Sequence, residues 1–190
     1  MSFETDTAIG KAAAAIKAET VAHNADYLTC KKDPWRKLIV GYETPTVSLV
    51  PGDKITEDHA KQLLLDALEA SCRVFEAQFP KMWQLYLAPE RAALLELAYY
   101  IGVQSMFRIK GFRSVMKRGV KKFIPSLLQH STDVVRLCKF EPYKQRLQRI
   151  CKQVETGKFL PPREIKVTPA PKKSPAAPKF VRKPKKSASK

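Results

Sequence analysis

The chain has 190 residues, of which 44% are hydrophobic, and its 35 lysines and arginines against 18 aspartates and glutamates give a net charge of +17. This length suffices for one well-buried domain and is short for two. No apolar run reaches the roughly 18 residues of a transmembrane helix, and the acidic residues of the first segment argue against a signal peptide.

The first elements of the chain alternate between helical and extended patterns. Apolar residues at helical spacing predict a helix over residues 8–24. Two β-rich runs, residues 37–42 and 46–50, predict a hairpin. Thr56 suits the N-cap of a long one-sided helix that ends near Pro80, because its hydroxyl can accept from the first turn.

The most apolar stretch, residues 89–119, predicts a central helix with little exposed surface, and Gly102 and Gly111 offer points where it can end. We expect a second helix over residues 112–118 and a short one within residues 120–129.

The last predicted helix covers residues 142–155, with Gly157 as its stop. Its inward side is formed by four apolar residues at helical spacing: Leu147, Ile150, Cys151 and Val154. The four cysteines of the chain are scattered and form no C-x-x-C pair, so the sequence predicts free thiols and no zinc site. No pattern indicates a cofactor.

Residues 161–190 change composition abruptly to proline, lysine, alanine and serine. Such a segment cannot bury enough apolar surface to order itself, so we expect a disordered basic arm after a domain of residues 1–160. The arm's cations are candidate contacts to nucleic acid or to the anionic cell envelope: Lys172, Lys173, Lys179, Arg182, Lys183, Lys185 and Lys186. A purely solubilising arm is the alternative.

An ordered series of short motifs runs through residues 8–160. It consists of Gly41-Tyr42, Gly52, Ile55-Thr56-Glu57, Arg91-Ala92-Ala93-Leu94, Leu97-Ala98, Ile101-Gly102-Val103, Arg146, Arg149 and Thr156-Gly157-Lys158-Phe159. The series resembles the phage-type lysozymes of glycoside hydrolase family 24. The resemblance implies a mainly α, lysozyme-like (α+β) fold, in which a helical lobe and a small β-hairpin lobe enclose a glycan cleft.

The resemblance also implies a catalytic pair. In this family a glutamate at the end of the first helix is the general acid, and an aspartate or cysteine follows it. Glu19 is the best match for the acid and Asp33 for the second group, with Cys30 or, less well, Asp26 as alternatives. A carboxylic acid that protonates the glycosidic oxygen beside a second carboxylate is what glycoside hydrolysis requires.

The catalytic motif is degenerate. Counting back from the hairpin puts Asn24 at the acid position and Ile39 where the family has threonine. Glu43 and Thr44 replace the family's Gly-His, and Tyr100 stands where many relatives have asparagine. These substitutions predict an impaired or altered reaction.

Three residues are candidates for substrate binding under the resemblance: Trp35, Tyr42 and Gln104. The first hypothesis for function is a phage muramidase, released from the host cytoplasm or carried in the particle, that cleaves peptidoglycan in the periplasm. The second is a catalytically inactive lysozyme-like virion or cell-wall-binding protein, whose arm contacts DNA or a neighbouring subunit. Nucleic-acid binding as the main role is the third.

Overall fold

The computed structural model describes residues 3–33, 37–139 and 141–162. The fold is mainly helical with one small antiparallel sheet, which confirms the predicted class. The helices are α1 Phe3–His23, α2 Glu57–Gln78, α3 Pro80–Leu85, α4 Ala88–Ile101, α5 Val103–Arg108, α6 Phe112–Arg118, the 3-10 turn Lys121–Phe123, α7 Ile124–Gln129, α8 Thr132–Leu137 and α9 Glu141–Thr156. The strands are β1 Lys31–Lys32, β2 Leu38–Val40 and β3 Thr44–Pro45.

The sheet differs from the predicted hairpin. Its order is β1-β2-β3, with Ile39 opposite both Lys31 and Pro45. The prediction of a strand over residues 46–50 was wrong, and β1 was not predicted. The reason lies in the turn between β2 and β3, where Gly41 and Glu43 have positive φ angles of 63° and 68°. Because this turn is tight, the chain pairs with β2 from Thr44 onward, two residues before the predicted strand begins.

The long helix α2 begins as predicted. The Thr56 side chain accepts a hydrogen bond of 3.2 Å from the backbone N–H of His59 and so caps the first turn. The helix ends at Gln78, close to the predicted Pro80, and the non-helical Phe79 separates it from α3, which begins at Pro80 and was not predicted. Proline suits a first helical turn, where its missing N–H costs no hydrogen bond.

The helix α4 lies at the centre of the helical lobe, as its composition predicts. Every residue of α4 from Glu90 to Ala98 is buried, and α1, α2 and α9 pack around it. Gly102 ends the helix at a φ of +83°, a conformation that favours glycine. The separate helix α5 then follows, which was not predicted, whereas α6 has the predicted bounds.

The C-terminal helix α9 is close to its predicted position. Leu147, Ile150, Cys151 and Val154 are all at most 8% exposed, which confirms the predicted inward side. Gly157 follows α9 with a φ of +62°.

The helix α8 was not predicted. The four cysteines are free thiols. Within the described residues, no helix combines the length and apolar character that crossing a bilayer requires. The predicted basic arm lies outside the described residues, except for Pro161 and Pro162.

Candidate functional site

A small cavity lies between the sheet and the helical lobe. It has a volume of about 70 Å³ and is lined by Asp33, Lys37, Ile39, Glu43, Pro45, Tyr99, Tyr100 and Tyr143. Sites that enclose a small organic ligand usually measure about 300–1,000 Å³. The cavity is therefore too small to enclose a sugar ring, and a chain of sugars could only lie across its mouth. We call it the cleft cavity.

Glu43 is the second carboxyl residue of the cleft cavity, besides Asp33, and the sequence did not single it out as a site residue. It occupies the left-handed region with a φ of 68°, which non-glycine residues seldom adopt. Its side chain accepts hydrogen bonds from the Tyr143 hydroxyl at 3.2 Å and from Arg146 Nη1 at 3.1 Å. These two contacts hold the strained turn in place. The sequence did contain one sign of this residue: Glu43 stands where the family that the chain resembles has glycine.

Glu19, the predicted acid, lies behind the cleft cavity and not in its lining. Its side chain is 4% exposed, and both of its oxygens contact guanidinium groups. Arg146 Nε lies 2.7 Å from Oε2, and Arg149 Nε donates to Oε1 at 2.9 Å. Arg146 also binds Glu43, so it connects Glu19 to a residue of the cavity lining. Glu19 thus joins α1 to α9 through two buried ion pairs.

A second buried glutamate shares Arg149. Arg149 Nη2 donates to Glu96 Oε1, and the Glu96 side chain is 1% exposed. Burial raises the pKa of Glu96 to about 7, an effect that Arg149 opposes and the nearby charge of Glu19 increases. We call Glu19, Glu43, Glu96, Arg146 and Arg149 the charge cluster. Its three carboxyl groups face two guanidinium groups, so a proton on Glu96 brings the cluster to neutrality.

Tyrosine rings complete the surroundings of Arg146. Its guanidinium lies 4.7 Å from the ring centroid of Tyr100 and 5.0 Å from that of Tyr143, which is cation–π geometry. Burial raises the pKa of both tyrosines above the ordinary value, so both are neutral at neutral pH. The Tyr100 hydroxyl is buried at the cavity, and the described part of the chain offers it no hydrogen-bond partner.

The other predicted site residues are dispersed. Asp33 lines the cleft cavity, and its Oδ1 accepts from the backbone N–H of Lys37 at 2.8 Å. Asn24, the acid position of the other register, accepts from Lys31 Nζ at 2.5 Å. Tyr42 is completely buried and stacks on Tyr27, which leaves its ring no face for a sugar.

Gln104 is exposed on α5 and does not line the cleft cavity. Trp35 lies outside the described residues, as do the arm cations Lys172, Lys173, Lys179, Arg182, Lys183, Lys185 and Lys186.

No protein-family model matches the chain, and no curated protein matches it. A solved structure does: the endolysin from Escherichia coli O157:H7 phage FAHEc1 superposes with a TM-score of 0.57. The match covers 79% of this chain and 94% of the endolysin chain at 19% identity. The fold is lysozyme-like. At this level of identity the likeness extends to the fold and not to the reaction.

Proposed function

We propose that this chain is a phage lysozyme-like protein that acts on bacterial peptidoglycan. Two observations support the proposal. The fold is similar to that of a phage endolysin over 94% of the endolysin chain. In addition, the cleft cavity between the sheet and the helical lobe gathers carboxyl, lysine and tyrosine side chains, which suit the hydroxyl and amide groups of a glycan strand.

The Tyr100 hydroxyl is the group that we assign to glycan binding. It is buried at the cleft cavity without a partner in the described residues. Leaving a buried hydroxyl unsatisfied costs about 1–3 kcal/mol. A sugar hydroxyl or amide that reaches past the cavity mouth would satisfy it, once the lining side chains that cover the hydroxyl move aside.

We further propose that the glycan strand is bound and not cleaved. Hydrolysis requires a carboxylic acid that touches the substrate and carries a proton near neutral pH. Glu43 is bound by the guanidinium of Arg146, and Asp33 Oδ1 accepts from the backbone N–H of Lys37, so both side chains are engaged in contacts within the chain. Glu96 has a pKa near 7 but is 1% exposed and does not line the cleft cavity.

Muramidase activity with Glu19 as the acid and Asp33 as the second group is the second candidate function. One observation favours it: Arg146 contacts both Glu19 and Glu43, and Glu43 lines the cavity together with Asp33. Cleavage by this route would require Arg146 to move away from both Glu19 and Glu43. It would create new reducing ends in peptidoglycan, and Glu19→Gln would abolish them.

The binding proposal can be tested with purified peptidoglycan sacculi. The bound fraction of the full chain is measured by sedimentation for wild type, Tyr100→Phe and Tyr86→Phe. Tyr86 is a matched control, because its hydroxyl is also buried without a partner in the described residues but does not line the cleft cavity. We expect Tyr100→Phe to bind about fivefold more weakly, the effect of one hydrogen bond, and Tyr86→Phe to bind like wild type. Equal binding by all three proteins would contradict the assignment of Tyr100, and no sedimentation of wild type would contradict the proposed function.

A further inference from the structure

The sequence between Glu96 and Asp133 has no acidic residue. Its seven lysines and arginines are Arg108, Lys110, Arg113, Lys117, Arg118, Lys121 and Lys122. All of them except the half-buried Lys121 are exposed. They lie on α5, α6, the 3-10 turn and the short connections between these elements, so this side of the helical lobe is strongly cationic.

Three large apolar side chains are exposed beside these cations. Leu85 is 65% exposed, Leu87 55% and Phe123 50%. Lys121 contacts the backbone beside two of them. Its Nζ lies 3.4 Å from the Leu85 carbonyl oxygen and 2.6 Å from Glu90 Oε2. Glu90 Oε2 also accepts a hydrogen bond from the Leu87 N–H at 2.7 Å. Phe123 follows Lys121 by two residues, so all three apolar residues lie near one point, Lys121.

The basic ends of α6 and of the 3-10 turn border this point. Lys122 Nζ lies 5.4 Å from the Phe123 ring centroid. A Cβ atom added at Gly119 would lie 2.5 Å from Met82 Cε, which shows that α3 packs directly on the turn after α6. We define the cationic face by its six exposed members: Leu85, Leu87, Lys117, Arg118, Lys122 and Phe123.

The acidic residue at the centre of this surface does not offset its charge. Glu90 is 4% exposed and forms its ion pair inward, with Lys121. The exposed atoms of the cationic face are therefore positive or apolar. An anionic partner with an apolar interior matches both properties.

The cationic face and the cleft cavity lie at opposite ends of α4. Leu87 directly precedes α4, and Tyr99 and Tyr100 are near its last turn. At 1.5 Å per residue, the 12 residues from Leu87 to Tyr99 span about 18 Å. A partner bound to the cationic face would leave the cleft cavity open.

We propose that the cationic face docks onto the surface of an anionic lipid bilayer. Lys117, Arg118 and Lys122 contact headgroup phosphates, and Leu85, Leu87 and Phe123 enter the interface between headgroups and acyl chains. A nucleic acid would attract the same cations, but it offers no apolar layer for two exposed leucines. The lipid surface therefore accounts for more of the observed face than a nucleic acid does.

The test uses the full chain and vesicles of phosphatidylglycerol with phosphatidylethanolamine, compared with vesicles of phosphatidylcholine. These vesicles contain no glycan, so the result is independent of peptidoglycan binding. The charge variant is K117Q/R118Q, and its matched control is K32Q/K54Q, which removes two exposed lysines from the sheet side of the molecule. The apolar variant is L85S/L87S/F123S. The basic arm is identical in all proteins, so its own attraction to the vesicles cancels in the comparison.

We expect K117Q/R118Q to bind the anionic vesicles about 25-fold more weakly than wild type, at roughly fivefold for each cation. K32Q/K54Q should bind like wild type, the apolar variant should also be weaker, and wild type should not bind phosphatidylcholine. The proposal fails if K117Q/R118Q and K32Q/K54Q bind alike. It also fails if the apolar variant binds like wild type, or if K117Q/R118Q loses affinity for duplex DNA while keeping its affinity for vesicles.

Discussion

The aromatic core of the helical lobe and the charge cluster behind the cleft cavity are both buried, but different contacts hold them together. In the aromatic core, Phe75 stacks on Trp83 at 4.6 Å and meets Phe107 edge-on at 5.6 Å. In the charge cluster, Arg149 joins Glu19 of α1 to Glu96 of α4. Apolar contacts tolerate changes of pH, whereas the stability of buried ion pairs depends on the protonation state of each partner.

This difference shows which part of the molecule depends on single residues. Removing one ring from the aromatic core leaves a cavity but no unpaired charge. Removing Arg149 from the charge cluster leaves Glu96 buried without its guanidinium and Glu19 with Arg146 alone, which is costly only while the carboxylates are ionised. The following predictions use stability and its pH dependence to separate the two regions.

The largest loss of stability is expected in the aromatic core. Phe75 is fully buried, so Phe75→Ala should lower the free energy of unfolding by about 4–5 kcal/mol. Urea denaturation measures the change. Phe123→Ala is the control, because Phe123 is 50% exposed and should cost less than about 0.5 kcal/mol. The Phe75 effect should be the same at pH 5 and pH 8.

Arg149→Met should cost slightly less, about 3–4 kcal/mol at pH 8, because it leaves Glu19 and Glu96 buried without Arg149. The cost should shrink at pH 5, because Glu96, with a pKa of about 7, is then protonated and no longer depends on Arg149. Arg73→Met is the control, since Arg73 is 63% exposed and its ion pair with Glu69 contributes little. A cost for Arg149→Met that is equal at both pH values would contradict the account of the charge cluster.

The sequence predicted the apolar packing of the helices better than the charge cluster, for a physical reason. The buried sides of α2 and α9 follow from apolar spacing within one helix, and Thr56 caps α2 through a residue three positions away. By contrast, Glu19 and Arg149 are 130 residues apart in the sequence, and the spacing of residues within one helix cannot predict an ion pair between two distant helices.

The turn at Glu43 shows a second limit. A glutamate with positive φ goes against local preference, so no propensity rule places it there. Only Tyr143 and Arg146, about 100 residues later, explain why the turn is kept. The family resemblance predicted Asp33 as a site residue, whereas the position of Glu43 in the cleft cavity was found only in the structure.

The pH dependence of stability should reveal Glu96. Its pKa in the folded protein is about 7, above the ordinary value of 4.5. The protonated form is therefore favoured by folding, and its contribution is fully present below pH 4.5 and lost as the pH rises through 7. The loss should amount to roughly 3 kcal/mol, at about 1.4 kcal/mol per pKa unit.

Glu96→Gln should remove this pH dependence and should be more stable than wild type at pH 8. Thermal unfolding between pH 4.5 and pH 8 measures both effects. Glu155→Gln changes an exposed carboxyl group of α9 and should leave the wild-type profile unchanged. Parallel profiles for wild type and Glu96→Gln would show that Glu96 is ionised throughout this range.

The smallest effect is expected at the N-cap of α2, which belongs to neither region. Thr56→Ala removes the acceptor of the His59 N–H and should cost about 1 kcal/mol. Thr56→Ser keeps the hydroxyl and should cost much less. Urea denaturation distinguishes them, and equal losses would show that the cap contributes nothing to stability.

The measurement that tests the central claim most directly is a count of new reducing ends in purified sacculi incubated with wild type, Glu19→Gln and a muramidase of known activity. With Glu19 bound by Arg146 and Arg149, we predict no new ends from wild type or from Glu19→Gln, although wild type remains bound to the sacculi. Reducing ends released by wild type and absent with Glu19→Gln would contradict the account and establish glycan hydrolysis through Glu19.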